Sequence, residues 1–555
     1  MRNATLAIAF LTLTVAFLYG QSPPAKGAIS GNVRDAKSGA PIAGARITLD
    51  SSSGSAQSTG VLKPVATSDA AGQFAFPDTT PGQYRLIVQS NGYARTEYGQ
   101  KISSGQGTPI RLAPGQKISG IEMRLVATGT ISGRILDSNG RPALHVPVRL
   151  AQSAWDANGQ HYLNVRLNTQ SDDRGEYRFY YVTPGSYIVG AGILMGEIRD
   201  ILAGDPQSTY AVSYFPGTPD IERADMISIR SGEEVQGADI RVSRTRLYAI
   251  HGRIIDNGTG APPTSANPAL SYQAIDRGGL SGMSVSENYN PRTGEFAFSR
   301  LVPGTYGVAA TYQVGPARGG SSFTAFASVR IVDSDIQDLV LKAADTVSIG
   351  VTLRAEGQGA LPQRGAGVQL QPLSANGDSV ALMPPGVVRA GPDGTFTATL
   401  ATGSYRLRIT PQALPAGAYV KELHFGDVDV WNNPLTIAGS TDAKLEIVFS
   451  MKSAQVDGTI TDAQGNPAEP NPLVLVPDRN RDRTELYRTA VVDRPGHFSI
   501  SNVAPGDYKL FAWEALEPFA YFDPNVLKKD EAKGFAVHLA ESASEHVDLR
   551  LIPLP

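Results

Sequence analysis

The stretch Gly294-Glu-Phe296-Ala-Phe298-Ser-Arg-Leu-Val-Pro303-Gly304-Thr-Tyr306-Gly-Val308 contains the pattern that decides the fold. Its large apolar residues alternate with small or polar ones, which places every second side chain on one face of an extended chain. Proline and glycine between the two alternating runs favour a tight turn, because proline restricts φ and glycine permits positive φ. The stretch therefore predicts a strand, a turn and a second strand that begins beside a tyrosine.

The same pattern recurs along the chain. The other four copies are Asp69 to Val88, Asp173 to Val189, Asp393 to Leu407, and Gly496 to Leu510. A second phrase, an apolar strand that contains a glycine, opens each copy, and its glycines are Gly31, Gly133, Gly252, Gly350 and Gly458. These glycines are spaced by roughly the length of one compact sandwich of about 100 residues. The repeats are therefore predicted to be domains.

We predict an all-β protein, a tandem array of five immunoglobulin-like or transthyretin-like β-sandwich modules. The predicted ranges are 27–127 for module 1, 128–246 for module 2, 247–344 for module 3, 345–453 for module 4, and 454–555 for module 5. Module 4 is the most divergent, because Thr402 stands where the other copies have proline. The short connections between modules predict a semi-rigid array with modules end to end.

Composition excludes several classes of function. Forty-nine basic and 52 acidic residues leave a net charge of −3, so no broad cationic surface is expected and nucleic acid is not a predicted partner. The chain has no cysteine, which excludes disulfides, thiolate metal sites and cysteine nucleophiles.

The N-terminus has the pattern of a secretory signal peptide over residues 1–21. Arg2 precedes a short apolar run from Leu6 to Leu18, and Gly20 precedes a polar segment. The run is short for a membrane span of roughly 20 residues, although an uncleaved anchor is the alternative. We expect a secreted, periplasmic or cell-envelope protein with no membrane span after cleavage.

One helix is predicted, in module 5. Asp523 is a suitable N-cap, Pro524 suits the first helical position, and Gly534 suits the end of the segment.

The opening phrase, the Gly-x-Phe-x-Phe phrase and the Pro-Gly-x-Tyr phrase together resemble those of the carboxypeptidase regulatory-like domain. This family is a seven-stranded, transthyretin-like sandwich akin to starch-binding-like and Cna B-type modules. The resemblance covers essentially all of residues 27–555 and implies a fold, but sandwiches of this kind carry many unrelated functions. Tandem copies after a signal peptide are similar to large secreted bacterial proteins.

A search for catalytic chemistry finds no candidate site, so we expect neither an enzyme nor a cofactor. His538 and Glu541 have the spacing of the first two zinc ligands of a carboxypeptidase, but no separate catalytic domain follows them. Asp478, Asn480 and Asp482 begin like a calcium loop, whose sixth and twelfth positions are then Arg483 and Thr489 instead of glycine and glutamate. A polar strand and a charged loop are the preferred interpretations, and no metal site is predicted.

Aromatic residues outside the repeated phrases are the best candidates for ligand binding. They are Trp155 and Tyr162 in module 2, and Trp513, Phe519, Tyr521 and Phe522 in module 5. Aromatic faces stack on the apolar faces of sugar rings or anchor protein interfaces. In module 5 the same rings would alternatively cover an open sheet edge.

Three functions remain open. The first is a non-catalytic structural or interaction protein outside the cell. The second is a carbohydrate-binding array, and the third is a regulatory partner of a separate catalytic chain. In each case the partner, a protein or a polysaccharide, is not identified by the sequence.

Overall fold

The structure is a computed structural model. It describes residues 25–554 except 52–62, 103–104, 106, 158, 160, 193–207, 257–259, 264–267, 275–283, 286–288, 315–320, 343–345, 357–367, 374–385, 389–394, 410–413, 469, 471 and 495. The predicted signal peptide lies outside the described residues. The described chain is built almost wholly of strands, which confirms the all-β prediction and the tandem sandwich architecture.

The first three modules contain strands β1 to β26. In module 1 these are β1 (Gly27–Asp35), β2 (Arg46–Ser51), β3 (Val65–Thr67), β4 (Gln73–Thr79), β5 (Gly82–Gln89), β6 (Thr96–Glu97), β7 (Ile110–Leu112) and β8 (Lys117–Leu125). In module 2 they are β9 (Gly129–Leu136), β10 (Pro147–Trp155), β11 (His161–Gln170), β12 (Glu176–Val182), β13 (Gly185–Ala191), β14 (Ser208–Tyr210), β15 (Ser213–Tyr214), β16 (Ile227–Ile229), β17 (Glu234–Val235), β18 (Ile240–Arg241) and β19 (Arg244–Arg246), with a 3-10 turn at Ile221–Arg223. In module 3 they are β20 (Tyr248–Ile255), β21 (Ala269–Ala274), β22 (Ser284–Val285), β23 (Glu295–Leu301), β24 (Gly304–Val314), β25 (Ser321–Ile331) and β26 (Ile336–Lys342).

Modules 4 and 5 contain the remaining strands and the helix. In module 4 the strands are β27 (Thr346–Ala355), β28 (Val368–Leu373), β29 (Gly386–Val388), β30 (Thr395–Ala401), β31 (Gly403–Ile409), β32 (Tyr419–Phe425), β33 (Val428–Asp429), β34 (Leu435–Ile437) and β35 (Leu445–Ser450). In module 5 they are β36 (Ala454–Thr461), β37 (Leu473–Pro477), β38 (Arg488–Thr489), β39 (Val491–Arg494), β40 (His497–Val503), β41 (Gly506–Ala512), β42 (Phe535–Leu539) and β43 (Ser544–Arg550). Helix α1 spans Pro524–Asp530, and 3-10 turns lie at Thr484–Leu486, Ala520–Phe522 and Glu531–Lys533.

All five modules share one strand arrangement. The opening strand pairs antiparallel with the Gly-x-Phe strand on one side and parallel with a strand near the end of the module on the other. A second sheet is centred on the Pro-Gly-x-Tyr strand, and in module 1 its order is β3-β2-β5-β6. Buried side chains from both sheets form one core cluster in each module.

The two strands of the recurring phrase lie in opposite sheets. In module 3, β23 belongs to the sheet β23-β20-β26, whereas β24 belongs to β22-β21-β24-β25. The Pro-Gly turn therefore carries the chain from one sheet to the other. The tyrosine after it points into the core, and its hydroxyl donates a hydrogen bond to the carbonyl four residues earlier: Tyr84 to Thr80, Tyr187 to Thr183, Tyr306 to Val302 and Tyr508 to Ala504. This bond closes the turn and explains a tyrosine at this position.

The opening glycine has a steric reason in four of the modules. It lies opposite the first aromatic residue of the Gly-x-Phe strand, as in the pairs Gly252 with Phe296 and Gly458 with Phe498. A Cβ atom on Gly458 would lie only 1.9 Å from the carbonyl oxygen of Val547 on the parallel neighbour. In module 4 the residue at this position is Val351, opposite Phe396. The assignment of Gly350 to the same position is therefore wrong by one residue.

Module 5 has a second core on the outer face of its second sheet. Strand β37 is buried along its whole length. Its outer face packs with Phe511 of β41, with Trp513 just after β41, and with Leu527 of α1. The predicted helix start is confirmed, because the Asp523 carboxylate accepts a hydrogen bond from the Asn525 N–H at 2.8 Å. The segment from Phe519 to Leu527 therefore covers the outer face of the sheet that contains β37, and not only an edge of that sheet.

The chain divides into two compact units, residues 1–100 with 106–127, and residues 101–105 with 128–555. Within the second unit, module 5 contacts module 2 although two modules separate them in sequence. The predicted end-to-end order is therefore wrong for these modules. The five module ranges remain proposed boundaries.

Among the described residues, no helix has both the length and the apolar character needed to span a membrane.

Candidate functional site

The hairpin β10–β11 sets module 2 apart from the other modules. Strand β11 is 10 residues long, whereas the edge strands at the same place in modules 1 and 5, β3 and β38, have 3 and 2 residues. The hairpin pairs as far as Trp155 and His161, whose rings lie 5.2 Å apart. The Ser153 hydroxyl lies 2.7 Å from His161 Nε2. The long hairpin thus carries Trp155 and Tyr162 away from the core of the module.

The tip of this hairpin touches module 5. A Cβ atom on Gly159 would lie 2.2 Å from Thr484 Cγ2 and 3.4 Å from the ring of Phe522. Because Gly159 has φ of +72° and no side chain, the tip approaches module 5 closely.

A cleft of about 830 Å³ lies between modules 2 and 5. The aromatic residues that line it are Trp155, Tyr162, Tyr181, Tyr187 and Phe519. Polar groups from the hairpin, the Pro-Gly turn and module 5 line the rest of it, including Gln152, Ser153, Asn164, Arg166, Ser186 and Glu517. Its size lies in the range of small-molecule sites.

The structure brings together three of the six predicted aromatic residues. Trp155 and Tyr162 of module 2 and Phe519 of module 5 line the same cleft. Phe522 stacks parallel to Phe519 with ring centroids 6.4 Å apart and supports the hairpin tip.

The other two predicted residues are buried. Trp513 is 2% exposed, stacks on Phe511 at 5.1 Å, and donates its indole N–H to Asp530 Oδ2 at 2.8 Å. Tyr521 is 6% exposed in the same cluster, and burial raises the pKa of its hydroxyl to about 12. Both rings therefore pack the outer core of module 5 and offer no free face to a ligand.

Sequence reasoning did not select Tyr181. This residue is 60% exposed and has φ of +57°, because it lies at a bulge where β12 leaves its pairing with β9. The pair Tyr180-Tyr181 before the Thr-Pro-Gly turn was the available signal, since modules 3 and 5 have polar residues, Arg300 and Asn502, at the bulge.

Two polar groups of the cleft are held by neighbouring side chains or backbone. Arg166 Nε donates to Gln152 Oε1 at 2.8 Å, which fixes both side chains on the hairpin. Burial raises the pKa of Tyr187, whose hydroxyl is bonded to Thr183.

His538 and Glu541 have separate partners and do not share a site. His538 Nδ1 lies 2.7 Å from Asp507 Oδ1, whereas Glu541 accepts hydrogen bonds from Tyr419 and Lys452 of module 4. In the part of the chain that the structure describes, no group of three His, Asp or Glu side chains is placed to hold a metal ion.

Comparison with protein families agrees with the strand arrangement of module 1. The model of the carboxypeptidase regulatory-like domain matches residues 28–116. Module 1 is therefore similar to this family over residues 28–116. The other four modules repeat the sheet arrangement of this regulatory-like domain, so the protein is a tandem array of modules with its fold.

Solved structures with similarity to the chain include two streptococcal pilins and a Bacillus protein. The minor pilin GBS52 of Streptococcus agalactiae is 14% identical, covers 39% of this chain and 95% of its own, and has a TM-score of 0.23. The full-length major pilin RrgB of Streptococcus pneumoniae is 9% identical, and the match covers 96% of this chain and 100% of the pilin, with a TM-score of 0.19. The TIE protein of Bacillus anthracis is 10% identical, and the match covers 77% of this chain and 74% of the TIE chain, with a TM-score of 0.16. Comparison with curated proteins gave no match.

Proposed function

We propose that the protein is a non-catalytic structural and interaction protein of the cell envelope or the extracellular space. The observation that carries this proposal is the repetition of one sandwich, with its own core in every copy, over almost the whole described chain. A repeated scaffold presents surfaces to partners and makes weak contacts effective through multivalency. The signal-peptide pattern at residues 1–21 supports a location outside the cytoplasm.

The junction between modules 4 and 5 supports a structural role. Arg483 of module 5 donates to the carbonyl of Trp431 at 2.8 Å, and its guanidinium lies 4.3 Å from the centre of the Trp431 ring. On strand β40 of module 5, Asn502 accepts a hydrogen bond from the Gly417 N–H at 2.8 Å. Glu541 forms ion pairs with Lys421 and Lys452 of module 4. Three separate contacts therefore restrain the orientation of these two modules.

Fractionation of the native host with an antibody against the chain tests the proposal. The protein is expected in the periplasm, the envelope or the medium, with its N-terminus near residue 22 after cleavage. A full-length protein that stays in the cytoplasm would contradict it. A hydrolase or transferase activity that is lost on a single substitution in the described chain would contradict the non-catalytic part.

A further inference from the structure

We propose that the cleft between modules 2 and 5 binds a neutral oligosaccharide. The proposal names a ligand class for the interaction protein described above. Its measurement does not depend on where the protein resides, so the two proposals fail independently.

The aromatic side chains supply faces for sugar rings. Tyr162 comes from the long hairpin, Tyr181 from the bulge, and Phe519 from the segment before α1. Trp155 also lines the cleft, but its ring packs on His161, its cross-strand partner on the other face of the hairpin. The C–H faces of a pyranose are apolar and pack against flat aromatic rings. Rings contributed by three separate segments suit a chain of sugars more than a single flat ligand.

The polar side chains match the hydroxyl groups of a sugar. The amides of Gln152 and Asn164 both donate and accept hydrogen bonds, and Glu517 and Arg166 supply a strong acceptor and a strong donor. The contact between Arg166 and Gln152 at 2.8 Å holds two of these groups in place before a ligand arrives. A few fixed polar groups within an apolar lining are typical of sites that orient a small ligand.

The charges argue against other ligand classes. One cation, Arg166, and two carboxylates, Asp156 and Glu517, line the cleft, so a phosphate or another anion gains no net attraction. A lipid chain would cover polar side chains such as Asn164 and Glu517 and offer them no hydrogen bonds, which costs free energy. A neutral polyhydroxylated ligand can pack its apolar C–H faces on the rings and form hydrogen bonds with the polar groups.

Two aromatic residues of the cleft have positive φ. Tyr181 and Phe519 have φ of +57° and +62°, and both line the cleft. A bulky residue with positive φ is uncommon and costs free energy unless its surroundings require it. The same bulge holds Asn502 in module 5, a residue that adopts this conformation more easily. Arg300 has φ of +64° at the same bulge in module 3, so the conformation belongs to the repeated fold, and module 2 differs in placing an exposed tyrosine there.

Neighbouring tyrosines provide a matched test. Tyr180 and Tyr181 are 59% and 60% exposed, yet only Tyr181 lines the cleft, while Tyr180 lies under the guanidinium of Arg178. The full chain, wild type and with Tyr181→Ala, Tyr162→Ala or Tyr180→Ala, is titrated calorimetrically with malto-, cello-, xylo- and chito-hexaose. Circular dichroism and thermal unfolding establish that each variant is folded.

We expect at least one hexaose to bind the wild type. Tyr181→Ala and Tyr162→Ala should each weaken that binding by about fivefold to tenfold, the loss of one ring contact. Tyr180→Ala should leave the affinity within about twofold, because its ring lies outside the cleft. The proposal is overturned if no hexaose binds at millimolar concentration, or if Tyr180→Ala and Tyr181→Ala weaken binding equally.

Discussion

Asn502 joins module 5 to module 4 through its side chain. Its Oδ1 accepts a hydrogen bond from the Gly417 N–H at 2.8 Å, and its Nδ2 donates to the Pro415 carbonyl at 3.2 Å. Asn502 has φ of +57° at the bulge that Tyr181 occupies in module 2. The same position of the repeated fold thus has two different surroundings. In module 5 it contacts module 4, and in module 2 it lines the cleft.

Replacing Asn502 should loosen this junction. Asn502→Gly removes both hydrogen bonds and keeps a residue that adopts positive φ without strain, so the loss of free energy should be about 1–2 kcal/mol. Amide hydrogen exchange is the measurement, and the Gly417 amide should exchange faster. Arg300→Gly, the same change at the bulge of module 3, is the control. Equal exchange at Gly417 in wild type and Asn502→Gly would show that the bond contributes nothing.

The opening glycines should differ in tolerance to a methyl group. In Gly458→Ala the new Cβ meets the Val547 carbonyl oxygen, so the parallel pairing must shift and stability should fall by about 1–3 kcal/mol. Gly350→Ala is the matched control, since its nearest neighbour is Lys444 Cγ at 3.3 Å, in a flexible side chain. Chemical unfolding of both variants checks the difference. Equal losses would refute the register described for module 4.

The tyrosine that closes each Pro-Gly turn should stabilise its module. Tyr306 is fully buried, and its hydroxyl donates to the Val302 carbonyl at 2.6 Å. Tyr306→Phe leaves this carbonyl without its partner and should cost about 1 kcal/mol. Tyr180→Phe, on an exposed side chain, should have no measurable effect. Scanning calorimetry of the full chain compares the two, and an unchanged transition in Tyr306→Phe would contradict the role given to the hydroxyl.

Module 5 should lose stability at acid pH through Glu531. Two hydrogen bonds from Arg481, at 2.7 and 3.0 Å, together with Lys509 outweigh the effect of burial and lower the pKa of Glu531 from 4.5 to about 2. Because the folded pKa is the lower one, the stabilisation is present above about pH 4.5 and disappears as the pH falls through about 2. Wild type should therefore exceed Glu531→Gln in melting temperature at neutral pH and converge with it in acid.

An NMR titration of the same carboxylate provides the control. Arg481→Gln removes the main cause of the shift, so the pKa of Glu531 should rise toward 4.5. A pKa that stays near 2 in this variant would show that Arg481 is not the cause.

Local structure was predictable because it depends on neighbours in sequence. Alternation around Phe296 and Phe298 identified a strand, and Asp523 with Pro524 identified the start of the helix. Alternation indicates which face of a strand is buried but not which sheet it joins, so the crossing between sheets at the Pro-Gly turn was not predicted. Strand register also decides whether a glycine lies opposite the aromatic residue of the neighbouring strand. The phrase around Gly350 does not show this register, so Gly350 was assigned to the position that Val351 occupies.

The cleft depends on contacts between modules that are distant in sequence. Trp155, Tyr162 and Phe519 were predictable as unusual aromatic residues, but their convergence depends on how module 5 packs on the hairpin of module 2. Trp513 was selected on the same grounds and packs on Phe511 instead, because the outer face of β37 is apolar and needs a cover. Residue type alone does not separate a ring that packs from one that lines a cleft.

The central claim is that every repeat is a sandwich with a self-sufficient core. Expression of residues 25–127 alone tests it most directly, since module 1 has its own cluster of buried side chains between two sheets. We predict a β-type circular dichroism spectrum, dispersed amide NMR signals and one cooperative thermal transition. An isolated segment that is unfolded or helical would contradict the claim.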